Sequence, residues 1–326
     1  MPCVPNFDEI NDRVRAMRRK EDGPYQCGDY LEKFAYRQMA HQQETSPVLQ
    51  QNLGNPVNAE CRSKMVSWYC QVVEFCNFNR EVVELSMRCL DRFLDTLLAT
   101  PNSHMEALNS RETYELASMT ALYIIVKINE TEILDPRILS DFSMGDFSEE
   151  DIKRTEAAML TALRWRVNPP TAISFLRHLL ALLPASENVD AGTIRAIYEM
   201  ATHQVEKSIL DYRLVTTRPS VIAYAAILNS IQGIDRQSFP SSDCVPFMKD
   251  VALTVGLGDM PRSKITEVRE RLLDLLSKST CIMSKADSES PCQKITKGLL
   301  YCRRLATHSP ICTLYKKTPY GYSKDT

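Results

Sequence analysis

The chain has 326 residues, 44% of them hydrophobic and 25% charged, with a formal net charge of −2. That is a globular composition with length for about two domains, and it exerts no global pull toward nucleic acid or anionic membrane. No apolar run approaches the roughly 18 to 20 residues of a membrane span, and the N-terminal stretch lacks the apolar segment of a signal peptide.

Ten glycines are few for a sheet-rich or phosphate-cradling fold, and helix-period patterns dominate, so the expected class is all-α. Residues 1–24 are polar and interrupted by Pro2, Pro5 and Pro24. They are expected to be disordered or a loosely held helix, with Arg15, Arg18, Arg19 and Lys20 on a solvated segment. Tyr25 to His41 reads as an amphipathic helix with Tyr30, Leu31, Phe34 and Met39 on one side. A polar loop through Pro47, Gly54 and Pro56 follows. Asn58 is an N-cap for a helix over 59–76, whose stripe holds Arg62, Met65, Val66, Tyr69 and Val73. The next helix, 80–98, carries Val83, Met87, Leu90, Leu94 and Leu97. Pro101, Asn102 and Ser103 form a loop. Ser110 caps a long apolar helix over 111–130, a short helix covers 137–142, and Ser148 opens another that ends near Leu163, with Glu149, Glu150 and Asp151 in its first turn.

Asn168-Pro169-Pro170 is a hard stop and marks the domain boundary. Thr171 starts a second set of helices over 171–183, 189–210, 216–230, 243–255 and 261–277. Pro219 suits a first-turn position, and Ala223, Ala225 and Ala226 allow close helix approach. From Thr280 the period is lost. This tail, 280–326, carries eight Lys/Arg against three Asp/Glu and reads as flexible and basic.

Eleven cysteines in a chain without a secretion signal fit a reducing compartment. Cys61, Cys70, Cys76 and Cys89 fall in helical, partly apolar patterns, as small hydrophobes. Cys281, Cys292, Cys302 and Cys312 lack the close ligand pairs of structural zinc. His41, His104, His178, His203 and His308 have no ligand spacing. No metal, cofactor or catalytic constellation is expected.

Two charges stand out. Lys127 is the only one between Ala117 and Asn129, and Glu156 lies on the stripe Ile152, Met159, Leu160, Leu163. A charge on an apolar face costs several kcal/mol unless it finds a partner, within the fold or on a second protein. Arg62 and Asp91 lie on or beside the stripes of neighbouring helices, and an arginine–carboxylate lock between them is the economical reading.

The spans Arg62 to Leu94 and Leu116 to Leu176 resemble the cyclin box. RSKMVSWYCQVVEFCNFNREVVELSMRCLDRFL is similar to its first two helices, with Trp68 and the signature Leu90-Asp91-Arg92-Phe93-Leu94. ALYIIVKINE occupies the place of the family's apolar helix ending in lysine and acids, and EDIKRTEAAMLTALRWRVNPPTAISFL that of the last box helix and its exit. Arg62, Asp91, Leu116, Lys127 and Glu156 match the positions that define the box. LDYRLVTTRPSVIAYAAIL is similar to the third helix of the second cyclin fold, and Trp165, the cysteine-rich first helix and the overall cadence look nearest to D-type cyclins.

The resemblance implies two consecutive five-helix cyclin-like folds, 25–168 with a preceding helix and 169–279. It implies a non-catalytic subunit that binds and activates a cyclin-dependent serine/threonine kinase in cell-cycle control, in nucleus and cytoplasm. Lys127 and Glu156 would hydrogen-bond the backbone of a kinase helix, with Ile128, Glu130, Leu160 and Trp165 as further contact positions. A salt bridge that merely joins two helices is the alternative for Lys127 and Glu156. Arg62, Asp91 and Leu116 would be structural. The family's substrate-docking row reads Cys61, Arg62, Ser63, Lys64, Met65 with Trp68 kept; Lys64 replaces an aliphatic residue and Ser67 an aspartate, so Met65 and Trp68 mark a degenerate patch. The expected partners are the kinase and its protein substrates, with neither nucleic acid nor membrane. Rival readings are a DNA-binding protein similar to general transcription initiation factors, which needs a basic face and salt-sensitive affinity, and a kinase-independent scaffold. Arg177–Leu180 and Arg269–Leu272 match a minimal destruction box but fall in expected helices. Ser46-Pro47, Thr100-Pro101, Ser309-Pro310 and Thr318-Pro319 are candidate sites for proline-directed kinases.

Overall fold

Capping chemistry places the helix starts of this chain. In the computed structural model, which describes residues 7–44, 56–99, 106–131, 134–143, 145–183, 189–258 and 260–278, Asn58 Oδ1 accepts from the Cys61 amide at 3.0 Å. Ser148 and Asp151 form a reciprocal capping box, and Thr171 caps from its hydroxyl. The helices are α1 (Phe7–Glu21), α2 (Tyr30–Glu44), α3 (Ala59–Cys76), α4 (Glu81–Ala99), α5 (Glu106–Asn109), α6 (Arg111–Asn129), α7 (Pro136–Phe142), α8 (Glu149–Ala162), α9 (Ala172–Leu180), α10 (Ala191–Ser208), α11 (Pro219–Gln232), α12 (Ser241–Val255) and α13 (Arg262–Lys278). The described residues contain no strand. The tail cysteines and all four Ser/Thr-Pro dipeptides lie outside the described residues.

Each set of helices wraps one central rod. In the first, every residue of α6 from Ala117 to Val126 is buried, and the helix packs on α3, α4 and α8. A helix apolar on all sides is stable only when surrounded. Two of its buried hydroxyls bond back to their own helix: Ser118 donates to the Tyr114 carbonyl at 2.7 Å and Thr120 to the Leu116 carbonyl at 2.8 Å. In the second, α11 is buried from Pro219 to Ile227 and packs on α9, α10, α12 and α13. Ala223, Ala225 and Ala226 supply the small contacts.

Several details depart from the sequence reading, among them the start of the helix expected from Tyr25, which begins at Tyr30. Residues 7–21, expected as disorder or a loose helix, form α1, because Ile10 and Val14, one turn apart, bury against α9 and α12. Met39 is exposed, since nine residues at 100° each put it half a circle from Tyr30. Cys70 is exposed, unlike Cys76 and Cys89. The short α5 and a 3-10 turn at Tyr212–Leu214 went unread; Leu108 of α5 is buried and accepts from the Val57 amide at 3.0 Å.

One ion pair ties the first bundle together. Arg62 on α3 donates to both carboxylate oxygens of Asp91 on α4, Nε to Oδ1 at 2.9 Å and Nη2 to Oδ2 at 2.8 Å, with side chains only 5% and 4% exposed. Tyr30 of α2 donates to the same Oδ1 at 3.0 Å. Arg62 Nη1 reaches the Ile209 carbonyl beyond α10. Burial opposes the Arg62 charge, but Asp91 outweighs it and raises the guanidinium pKa. Burial, then the Asp91 charge, pushes the Tyr30 hydroxyl well up and keeps it a donor.

The two bundles also meet at two carboxylates of α4. Glu81 accepts from the Thr171 hydroxyl and from Arg177, and Glu84 Oε1 accepts from the Ala172 amide at 2.9 Å and from Arg88 at 3.0 Å. The first bundle thus caps the N-terminus of α9, the leading helix of the second. Burial raises the Glu84 pKa, against the pull of Arg88 and the Ala172 amide.

Arg62→Ala should cost about 3–5 kcal/mol of stability by stranding Asp91, measured as the urea unfolding free energy. Glu84 gives a pH signature. Its folded pKa lies above the ordinary 4.5, so the folded chain retains a proton the unfolded chain has lost, and this group favours folding more as pH falls toward 4.5. Wild type should therefore gain stability relative to Glu84→Gln as pH drops from about 7 to about 5. A pH-independent difference between their urea midpoints would contradict the raised value.

Candidate functional site

The last turn of α6, opposite the middle of α8, is open to solvent. Lys127, in the last turn of α6, bonds Glu156 of α8, Nζ to Oε1 at 3.0 Å. The side chains are 51% and 15% exposed, so the pair sits at a rim. Its ammonium lies 5.2 Å from the ring centroid of Tyr123, one turn earlier. The Lys127 pKa is raised, chiefly by the Glu156 hydrogen bond. An ammonium has three donors and a carboxylate about four acceptor positions, so a single mutual bond leaves capacity on both for a peptide main chain.

Exposed apolar side chains stand near the end of α6 and just after α8. Ile128 is 50% exposed and Trp165 74%. Trp165 follows α8 in a left-handed turn, with Arg164 at φ 51° and Trp165 at φ 60°. The turn is closed by the Trp165 amide on the Leu160 carbonyl at 2.9 Å. Two successive non-glycine residues there are strained, and the bonded turn holds the indole outward. Leu160 is buried in the first core at the foot of this turn. Glu130, at the C-cap of α6, is half-buried and accepts from the Asn79 amide at 3.0 Å, tying the α3–α4 connection.

The remaining sequence candidates lie within the fold. Arg62 and Asp91 form the lock described above, and Leu116 is half-buried against the first core. Met65 and Trp68 are both buried, Trp68 edge-on to Phe142 with ring centroids 6.4 Å apart. Lys64 is tied to Glu60 at 2.7 Å. The degenerate patch therefore exposes neither apolar member. Leu180 and Leu272, the last residues of the two destruction-box matches, are buried within α9 and α13. Among the described residues no cluster of His, Cys, Asp and Glu is arranged to hold a metal, and no helix is long and apolar enough to cross a membrane.

Sequence reasoning missed Tyr123, Glu81 and Glu84. Tyr123 stands four residues before Lys127, the spacing that places side chains together on a helix, and that signal was available. Glu81 and Glu84 read as ordinary first-turn acids, and nothing local pointed them at α9.

The family described as "Cyclin, N-terminal domain" matches residues 30–168, and "Cyclin, C-terminal domain" matches 170–254. The chain belongs to the cyclin family. It is 26% identical over 264 residues to a G2/mitotic-specific cyclin-B of Patella vulgata, covering 76% of this chain and 59% of that one. It is 25% identical to G2/mitotic-specific cyclin-B2 of Oryzias luzonensis, over 83% and 70% of the two chains. Against G1/S-specific cyclin-D1 of Homo sapiens it is 24% identical, over 72% and 69%. A viral cyclin from herpesvirus saimiri shares the fold at TM-score 0.52 and 18% identity, covering 69% of this chain and 88% of that one. The first of these relatives is thus matched over 59% of its own length, and B- and D-type relatives match at nearly equal identity.

Lys127→Ala should change folding stability by less than ~1 kcal/mol, because a half-exposed pair is weak. A urea unfolding loss of several kcal/mol would make the pair a structural lock.

Proposed function

We propose that this cyclin is a non-catalytic regulatory subunit that binds and activates a cyclin-dependent serine/threonine kinase in cell-cycle control, acting in nucleus and cytoplasm. The observation that carries the reading is a half-exposed Lys127–Glu156 pair flanked in sequence by an exposed isoleucine and, after α8, an exposed tryptophan. Exposed apolar side chains on the segments that carry unsaturated hydrogen-bonding groups suit a protein interface, where aromatic residues supply much of the affinity.

In this reading a kinase helix lies on the rim. Lys127 donates to free carbonyls at the end of that helix, and Glu156 accepts from its N–H groups. Ile128 and Trp165 exclude water, which strengthens both bonds. Docking moves the helix so that the kinase's own lysine–glutamate pair and metal-binding segment align for phosphoryl transfer. Glu130 supports this surface through its bond to Asn79, and Leu160 through the turn that presents Trp165. Substrates of the kinase would be recruited elsewhere than Met65 and Trp68, which are buried.

The test is affinity purification from dividing cells of wild type, Lys127→Ala and Glu156→Ala, with kinase identified by mass spectrometry and assayed for activity. Wild type should recover an active cyclin-dependent kinase, and each variant about tenfold less, as for loss of a desolvated charged hydrogen bond. Equal recovery and activity in all three would reject the roles given to the pair.

A further inference from the structure

Lysine is a poor anchor by itself. Its ammonium rides on a flexible four-carbon stem, and a half-exposed lysine loses rotamer freedom when a partner fixes it. In this chain the stem is already held. Glu156 takes one donor at 3.0 Å, and the ring of Tyr123 lies 5.2 Å from the same nitrogen, within reach of a cation–π contact. Tyr123 is itself a buried side chain of the central rod, so its ring does not move with the lysine. The carboxylate comes from α8 and the ring from α6. The ammonium is held between two fixed negative features, and its remaining capacity is left for solvent.

We propose that Tyr123 is a positioning residue for Lys127: its ring holds the ammonium against Glu156 in the orientation that meets a main-chain carbonyl of the docking kinase. The inference rests on the docking reading above and adds a residue that need not touch the kinase. Tyr123→Phe retains the ring and loses the hydroxyl, whereas Tyr123→Leu keeps an apolar side chain of helix-forming type and loses the ring.

The experiment uses the full chain. In lysine-labelled protein, the Lys127 ε-methylene protons should show a ring-current shift that survives Tyr123→Phe and disappears in Tyr123→Leu. Affinity is then measured with the purified cyclin-dependent kinase recovered by the wild-type chain. Tyr123→Leu should bind about three- to fivefold more weakly, and Tyr123→Phe like wild type. In a Lys127→Ala background, Tyr123→Leu should cause no further loss, because the ring acts only through the lysine. An equal loss in both backgrounds, or no ring-current shift in the wild type, overturns the proposal. Equal kinase binding by wild type and Lys127→Ala instead rejects the docking reading, and the ring-current comparison still decides whether Tyr123 holds the lysine.

Discussion

A guanidinium and a carboxylate buried together in a helical core must satisfy one another almost completely, and the bonded pair Arg62–Asp91 organises much of what surrounds it. Both fork bonds are made, a tyrosine from α2 takes part of the remaining acceptor capacity, and the last arginine nitrogen reaches a carbonyl beyond α10. Four segments thus converge on one charge pair. Replacing such a pair by apolar residues can leave a core as stable, whereas removing one partner does not. Its directional bonds define a register between α3 and α4 that apolar packing alone would leave looser.

The second constraint is the coupling of the bundles. Glu81 and Glu84 of α4 reinforce the local Thr171 cap of α9, and Glu21 at the end of α1 takes the place of a side-chain cap for α11, accepting from the amide and hydroxyl of Ser220. Arg92, adjacent to Asp91, donates to the Arg166 carbonyl at 2.6 Å and to Pro24 at 3.2 Å, and lies over the Tyr25 ring. Each contact satisfies backbone groups that helix ends and connections leave open. The linker after α8, which carries Trp165, is therefore anchored at both ends: to Leu160 by its turn and to α4 by Arg92. A rigid base of this kind keeps an exposed indole in one place, which lowers the entropy lost on binding.

The two charge pairs that the sequence singled out have opposite fates. Arg62–Asp91 lies in the interior and is saturated by its neighbours; Lys127–Glu156 lies at the rim, and its lysine faces water. The difference follows from position on the rod. Asp91 is in the middle of α4, surrounded by core residues, whereas Lys127 is in the last turn of α6, where the buried stretch ends at Val126. Interior pairs serve register. Rim pairs retain hydrogen-bonding capacity that a partner can use.

Much of this was legible in the sequence. Helix periodicity and caps such as Asn58, Ser110, Ser148 and Thr171 are local properties, encoded within four residues of each helix start, and they placed the starts of α3, α6, α8 and α9 to within a residue or two. The Arg62–Asp91 pair followed because two lone charges beside apolar stripes leave few partners. Tertiary structure alone decided the rest. α1 has little of its own to mark it as ordered; its order comes from a groove between α9 and α12, built from residues more than 150 positions away. Trp68 and Met65 lie on a stripe that reads the same whether buried or exposed, and only the packing of α3 on its neighbours covers them. The roles of Glu81, Glu84 and Tyr123 depend on which surface lies opposite a helix. Period and propensity describe a helix to itself; what it faces is set by how all the apolar stripes are buried together.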